Sequence, residues 1–380
     1  MSNVTLRLFD RIEAARPDWL DLETRSLACL YQTHDWLAPW QAHVGSRLGH
    51  QPCIVVGDMD GRPAFLWPLA IVRGRLDRRL EWLGARHGNQ NPGLWTLEGL
   101  EQLRADDMAQ ALRRVALHAQ VDRIDLANVP QTVHGKPHPF SGLPQRLSVN
   151  AVHVGPLDQD YDALLRRRHD RDGRRKLDKK AKALARLGPV SVKTPQDPAD
   201  VIALLDVFVG QREARARSTG IPNVFSDPNL KAALQAMLVG SGDRPPRIRL
   251  TALEVGGLVR ATYVTGISGG RLYGYSNSIA GDDSLPFSPG IQLLTAMIRQ
   301  AAADPGLSVL DLGLGDERYK QAWTDPEPLM DIGFACSLRG RIALACGTIL
   351  AALKRRARAS RLFWTVYRRL RRTLAPVRTT

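Results

Sequence analysis

The chain has 380 residues, of which 44% are hydrophobic and 24% are charged, so it can form two folded domains and is not a disordered chain. No stretch reaches the roughly 20 consecutive apolar residues of a membrane-spanning helix, and the N-terminal segment lacks the apolar run of a signal peptide. The four cysteines form no CxxC pair and the nine histidines show no ligand spacing, so we expect a cytoplasmic protein without a metal site.

The N-terminal half predicts antiparallel strands followed by a helix and a further strand. Its predicted elements are strands at 52–58 and 64–72, a strand at 79–83, a helix at 106–119 and a strand at 123–127. The turn between the first two strands falls at Asp60-Gly61. We assign this half to an N-terminal domain, residues 1–155.

A strongly basic helix is predicted between the halves, at residues 166–187. Leu177, Leu184 and Leu187 recur there at helical spacing, and most of the other positions are lysine or arginine. Further helices are predicted at 199–211 and 227–239.

The C-terminal half repeats the order of the N-terminal half. Its predicted elements are strands at 247–254, 258–267 and 271–278, a helix after Ser288-Pro289-Gly290, a strand at 308–312, a helix at 317–323 and a strand at 332–338. Serine favours the N-cap and proline the first helical position. Because a helix that links neighbouring strands implies a parallel pair, we predict an α/β fold with mixed sheets and a second domain at 156–338 that includes the basic helix.

The remaining residues, 339–380, predict a basic amphipathic tail. Twelve of the 53 lysines and arginines lie here, and no acidic residue follows Asp331. An uncharged stretch at 342–353 is too short to span a bilayer, but it suits a helix lying on an anionic membrane surface. The predicted membrane- or anion-binding residues are Lys354, Arg355, Arg356, Arg358, Arg361, Arg368, Arg369, Arg371 and Arg372. Docking of the tail on the protein itself, or binding of a phosphorylated nucleotide, are the alternatives; the apolar stretch argues against nucleic acid.

Four features in this order resemble a known family. They are Trp36 and Trp40, the basic RRKLDKKAKAL helix, SPG before a helix, and the segment DLGLGDERYKQAW at 311–323. Over roughly residues 30–335 the sequence resembles the CelD/BcsL-type acetyltransferases of bacterial exopolysaccharide synthesis, which are FemAB-like proteins of the GNAT superfamily. The resemblance implies tandem GNAT-like domains and transfer of an acyl group from acetyl-CoA, or another acyl-CoA, to an amine or hydroxyl of a sugar.

The expected donor site departs from the usual GNAT pattern. GNAT enzymes carry a Q/R-x-x-G-x-G/A loop before the helix that binds the CoA pyrophosphate, whereas DSLPFSPG stands here at 283–290. A helix N-terminus still offers N–H donors and a positive potential to phosphate, so Ser288, Pro289 and Gly290 are the predicted cofactor-binding residues. Some FemAB relatives are implied to use aminoacyl-tRNA instead, and the basic helix would suit RNA as well.

The predicted catalytic residues are Asp316, Tyr319 and Lys320, which follow the end of a predicted strand. Asp316 is the candidate base for the acceptor, and Tyr319 is the candidate donor of a proton to the departing sulfur. Lys320 would hold an anionic group or tune Asp316. The simpler alternative is an aspartate N-cap followed by an i,i+4 ion pair.

Four further residues are candidates for substrate binding. Asp311 interrupts an apolar strand and either caps a loop or faces the acceptor. Trp323 either stacks on a sugar ring or packs in the core. Ser276 and Asn277, at a strand end, either bind acceptor hydroxyls or serve the turn.

The sequence thus predicts an acyl-CoA-dependent N- or O-acyltransferase that acts on an exopolysaccharide, or its lipid-linked precursor, at the inner face of the membrane. Two alternatives stay open. One is a catalytically inactive GNAT pair that binds a glycan or nucleotide as a regulatory module, and the other is an aminoacyl-tRNA-dependent transferase.

Overall fold

A computed structural model describes residues 4–75, 77–242 and 244–346 of the protein. The predicted cationic tail residues from Lys354 to Arg372 lie outside these described residues. No helix within the described part of the chain is long and apolar enough to cross a membrane.

The N-terminal half contains nine strands and four α-helices. The strands are β1 (Val4–Phe9), β2 (Gln51–Met59), β3 (Arg62–Arg73), β4 (Arg78–Trp82), β5 (Leu94–Trp95), β6 (Arg123–Pro130), β7 (Thr132–Val133), β8 (Lys136–Pro137) and β9 (Gln145–Leu147). The helices are α1 (Ile12–Arg25), α2 (His34–Trp40), α3 (Leu97–Gln102) and α4 (Ala105–His118).

The rest of the described chain contains eight strands, six α-helices and a further helical stretch at 338–346. The strands are β10 (Val152–Pro156), β11 (Val190–Lys193), β12 (Ile248–Val255), β13 (Leu258–Ser268), β14 (Arg271–Ile279), β15 (Val309–Leu314), β16 (Asp325–Glu327) and β17 (Leu329–Ala335). The helices are α5 (Tyr161–Arg168), α6 (Arg171–Ala185), α7 (Pro198–Thr219), α8 (Pro228–Val239), α9 (Pro289–Ala302) and α10 (Arg318–Gln321).

Each half builds a mixed sheet around one parallel pair of strands. The N-terminal sheet has the order β1-β2-β3-β4-β6-β17-β9, and β4 runs parallel to β6. The C-terminal sheet has the order β11-β12-β13-β14-β15-β10-β16, and β14 runs parallel to β15. The repeated order of three antiparallel strands, a helix and a parallel strand confirms the predicted α/β fold with duplicated domains.

The two sheets exchange one strand each. β10 follows the N-terminal half in sequence but pairs antiparallel with β15 in the C-terminal sheet. β17 follows the C-terminal half but pairs antiparallel with β6 in the N-terminal sheet. The strand predicted at 332–338 therefore closes the sheet of the other half, and the boundary predicted at 155/156 falls within β10.

Helices from both halves fill the space between the sheets. One continuous core joins α1 and α2 to α7 and α8, with residues such as Trp36, Trp40, Leu205 and Phe208 fully buried. On the outer faces, α3 and α4 cover the N-terminal sheet and α5, α6 and α9 cover the C-terminal sheet. Because the central helices contact both sheets, the halves form one packed unit.

The basic helix predicted at 166–187 is two helices. α5 ends before His169, and α6 begins after Asp170, whose side chain accepts a hydrogen bond from the backbone N–H of Gly173 at 2.6 Å. An aspartate at this position satisfies a free N–H of the new helix, and this gain favours a break over one continuous helix. Leu184 is buried on the inner side of α6, while most cations of the helix face solvent.

Candidate active site

The parallel strands of the C-terminal sheet separate and leave a wedge between them. β14 and β15 pair only from Arg271 to Tyr273 and from Val309 to Asp311, although β14 continues to Ile279 and β15 to Leu314. Beyond the paired part the two strands make no ladder with each other, so a ligand with amide groups of its own could enter between them. Gly313 N–H meanwhile donates to Asp311, and Leu314 O accepts from Lys320. This is the carboxyl end of the parallel pair, where open α/β sheets bind their ligands.

The corresponding wedge in the N-terminal sheet is closed. β4 and β6 pair only over two residues, but the buried Asn91 then takes the place of a strand beside β6. Its backbone N–H donates to Asn128 O at 2.9 Å, and its side-chain amide donates to Ala127 O at 3.0 Å. The duplicated halves therefore differ, and the C-terminal half holds the open wedge.

The N-terminus of α9 lies beside the open wedge. Ser288 occupies the N-cap position with φ of +57°, but its side chain does not cap the helix as predicted. Its Oγ instead accepts a hydrogen bond from Lys180 Nζ of α6 at 2.7 Å. A Cβ at Gly290 would lie 2.8 Å from the Ile279 side chain, so glycine allows α9 to approach β14. The site combines an ammonium group with a helix N-terminus, which suits phosphate.

A cavity of about 290 Å³ joins this helix end to α10. It brings together three groups singled out in the sequence: Ser288-Pro289-Gly290, Asn277 and Tyr319. Arg215 of α7 and Glu317 also line it; the sequence analysis singled out neither. The volume is near the lower end for ligand pockets, and the apolar part of the lining comes from Ile279, Leu285 and Ile291.

Tyr319 lies at the cavity next to two polar side chains. Its hydroxyl interacts with the hydroxyl of Tyr263 and with the Asn277 amide. Burial raises the pKa of Tyr319 and of Tyr263 above the ordinary value, so both phenols keep their protons at neutral pH. A protonated, positioned phenol is suited to donate a proton rather than to accept one.

Asp316 and Lys320 do not form the predicted i,i+4 ion pair. Lys320 is buried and pairs with Glu317 at 2.8 Å, and it also donates to the backbone oxygen of Leu314. Asp316 precedes α10 with 92% of its side chain exposed, and it does not line the cavity. Glu317 is thus the carboxylate that the structure places at the cavity, one residue beyond the predicted base.

His153 of the exchanged strand β10 lies behind α10. The ring is fully buried, and its Nε2 is 3.8 Å from Asp316 Oδ1. Burial and the nearby Lys320 ammonium lower the pKa of His153. The imidazole therefore stays neutral at neutral pH and able to accept a proton.

Asp311 joins the two halves of the protein. It is fully buried, and its carboxylate accepts hydrogen bonds from the Gln90 side chain and from the Gly313 backbone at 2.8 Å. Arg271 lies 4.0 Å away. Burial raises the pKa of Asp311 to about 6. These contacts attach the loop before β5 to the strand that borders the wedge, while a contact of Asp311 with an acceptor stays a prediction.

Asp311 should make the stability of the protein depend on pH. An aspartate in an unfolded chain has a pKa of about 3.9, so the folded state binds this proton more tightly. The stabilisation is complete below about pH 4 and is lost as the pH rises through about 6. Asp311→Asn keeps an oxygen acceptor but cannot ionise. Its free energy of unfolding in urea, relative to wild type, should rise by about 2 kcal/mol between about pH 4 and pH 7. A constant difference would contradict this.

Two other predicted substrate-binding residues are engaged within the fold. Ser276 Oγ accepts a hydrogen bond from Arg212 Nη1 at 2.9 Å. Trp323 is buried in the core beside His169, with the ring centroids 4.7 Å apart. Their roles in binding an acceptor stay predictions, and both side chains already have structural partners.

Comparison with known families gives one match, over part of the chain. Residues 171–321 match the family described as Acetyltransferase (GNAT) domain, a span that contains α6, the wedge, α9 and α10. No curated protein sequence matches the chain.

Solved structures share the fold over most of the chain. The crystal structure of FemX is similar with a TM-score of 0.61 and 11% identity, over 90% of this chain and 99% of that one. A conserved protein of unknown function from Bacteroides thetaiotaomicron VPI-5482 has a TM-score of 0.53 and 10% identity, over 86% and 99%. The C-terminal domain of a putative lysylphosphatidylglycerol synthetase from Agrobacterium fabrum has a TM-score of 0.50 and 11% identity, over 90% and 98%.

The protein thus shares the fold of FemX, with the same order of elements in both halves, and residues 171–321 of its C-terminal half match the GNAT acetyltransferase family. Acyl transfer in general is the activity that this domain supports.

Proposed function

We propose that the protein is an N- or O-acyltransferase that moves an acetyl group from CoA to a sugar of an exopolysaccharide or of its lipid-linked precursor. The observation that carries the proposal is the cavity in which the N-terminus of α9, Lys180 nearby and the protonated Tyr319 meet. Lys180, Ser288 and the N–H of Gly290 would hold the pyrophosphate. The unpaired edges of β14 and β15 would hold the amide-containing arm of the donor.

The chemistry needs one proton donor and one proton acceptor. The acceptor's nitrogen or oxygen attacks the thioester carbonyl, a new bond to that carbon forms, and the carbon–sulfur bond breaks. Tyr319 gives its proton to the departing sulfur, and a carboxylate takes the proton that the acceptor loses. Glu317 lines the cavity and is our first candidate for this base. Asp316 remains the alternative, and the neutral ring of His153 lies 3.8 Å from its carboxylate. Comparing Glu317→Gln with Asp316→Asn in the same assay separates the two.

Donor binding tests the site directly. Isothermal titration calorimetry with acetyl-CoA should detect binding to the intact chain. Lys180→Gln should weaken binding about tenfold, since a charge-assisted hydrogen bond to phosphate contributes about 1.5 kcal/mol or more. Lys179→Gln is the matched control, because Lys179 is the adjacent lysine on the exposed side of α6. Absence of binding, with or without a sugar acceptor, would contradict the proposal and favour a regulatory module without catalysis.

An aminoacyl-tRNA donor is the second candidate. One observation favours it: exposed cations of α6, among them Arg171, Arg175 and Lys179, make no ion pair with any residue in the described part of the chain. They form a surface suited to a phosphate backbone, next to the cavity. In this case the wild-type chain should retard the migration of tRNA in a gel, and the double variant Arg175→Gln/Lys179→Gln should not. If calorimetry also detects no binding of acetyl-CoA, the donor is an aminoacyl-tRNA.

We also propose that the protein works as a peripheral protein at the inner membrane face. The support is the cationic stretch after residue 353 in the sequence and the apolar stretch before it. Such a location would bring the enzyme to a lipid-linked acceptor.

A further inference from the structure

Three large apolar side chains are exposed on the segments that border the cavity. Leu285 is 53% exposed, Ile221 63% and Val224 51%. Single exposed apolar residues are ordinary on protein surfaces, but a group of them around one pocket indicates an interaction site.

Two contacts tie these residues to the cavity entrance. Leu285 itself lines the cavity, opposite Arg215. The segment 221–224 folds back along α7, since Asn223 Oδ1 accepts a hydrogen bond from Arg212 Nε at 3.2 Å. The same guanidinium donates to the backbone oxygen of Asn277 at 2.8 Å, and Asn277 is part of the cavity wall. Leu285 therefore lies on the cavity, and the segment that carries Ile221 and Val224 lies within the reach of one guanidinium from the cavity wall; we call these three apolar side chains the rim.

Cations accompany the rim on both sides. Arg215 and Arg217 are exposed at the end of α7, and neither makes an ion pair with another described residue. Lys180 contacts Ser288 of the cavity wall, and Lys176 is one turn earlier on the same side of α6. The rim thus presents apolar side chains among unneutralised positive charges.

We propose that the rim docks on an anionic lipid bilayer, so that the cavity opens onto the layer of lipid headgroups. Insertion of apolar side chains combined with attraction of cations to anionic lipids is the pattern of interfacial membrane binding. A nucleic-acid backbone would pair with the cations but leave Leu285, Ile221 and Val224 in water. The docking would let a lipid-linked acceptor enter the cavity from the membrane. This consequence rests on the proposed function, whereas the contact with the bilayer does not.

A fluorescent label on the rim tests the contact in the full chain. Cys29 and Cys53 are buried, so Cys336→Ser and Cys346→Ser leave no exposed native thiol for labelling. An environment-sensitive dye is then attached at Leu285→Cys and titrated with vesicles of phosphatidylcholine and phosphatidylglycerol. We expect blue-shifted emission with anionic vesicles and none with phosphatidylcholine alone. The control is Leu117→Cys, which is 72% exposed on α4 of the other half and should show no shift.

A second measurement uses vesicle sedimentation. Ile221→Ser/Val224→Ser should lower the vesicle affinity of the full chain on the order of tenfold, whereas Leu117→Ser should leave it unchanged. If the chain sediments with vesicles while the dye at position 285 stays in water, the tail alone binds and the proposal is wrong. A chain that binds tRNA but no vesicles would also overturn it. Acyl transfer to a water-soluble sugar is assayed separately with the wild-type chain. If this activity is absent while the blue shift is observed, the proposed function is contradicted and the docking is not.

Discussion

Tyr319→Phe should lower kcat for acyl transfer by about 10²- to 10⁴-fold, which is the range for loss of a positioned proton donor. The hydroxyl lies at the cavity, next to the Tyr263 hydroxyl and the Asn277 amide. Removing one oxygen atom keeps the ring in place, so donor affinity measured by calorimetry should change little. An activity within a few-fold of wild type would exclude Tyr319 as the acid.

Two controls sharpen the test of Tyr319. Tyr161→Phe removes another buried phenol next to α9, where Arg299 packs over the ring at 4.5 Å, but this residue does not line the cavity. Its kcat should match wild type. Tyr263→Phe removes the partner of Tyr319, and we expect a smaller decrease, about tenfold, with KM unchanged. Combined with Tyr319→Phe it should add nothing further, because the two hydroxyls act as one unit.

The pH profile provides an independent check on the same residue. Burial raises the pKa of Tyr319, so the acid form persists through neutral and mildly alkaline pH. The rate should therefore not fall on the alkaline side before about pH 10, the ordinary range for a phenol. A decrease already near neutral pH would point to another proton donor.

Sequence reasoning found the elements that are set by local chemistry. Ser288-Pro289-Gly290 opens α9, and the segments predicted at 308–312 and 317–323 form β15 and α10, since turn residues and apolar periodicity act over a few neighbouring positions. Tyr319 was named because it follows the end of a strand, and Asn277 because it lies at the end of one.

The contacts between distant segments were not predictable in this way. Lys180 reaches Ser288 across 108 residues, and His153 reaches α10 only because β10 crosses to the other sheet. A short apolar strand shows no preference for one sheet over another, so periodicity identified the last strand but not the sheet it joins. Glu317 was missed because the register of α10 depends on Lys320, which turns inward to Glu317 and the Leu314 oxygen.

The strand exchange predicts that neither half folds alone. A fragment of residues 1–155 contains β10, which belongs to the other sheet, and lacks β17, which lies between β6 and β9. Without β17, the buried Leu329 and Ile332 are missing from the core and the edge of β6 is unpaired. An exposed strand edge next to an incomplete core favours aggregation. The fragment 156–338 has the reciprocal defect, since β15 loses its β10 partner.

Expression of the two fragments separately should therefore give insoluble or unfolded material, as measured by circular dichroism and thermal unfolding. Co-expression should restore a soluble complex, because both exchanged strands are then present. Truncation after Ser337 is the matched control: it keeps β17 and should unfold cooperatively like the full chain, whereas truncation after Pro328 should not. If residues 1–155 alone gave a cooperative unfolding transition, the N-terminal sheet would fold without β17 and the prediction would be wrong. The N-terminal half would then be an independent domain that supplies β10 to its neighbour without needing β17 in return.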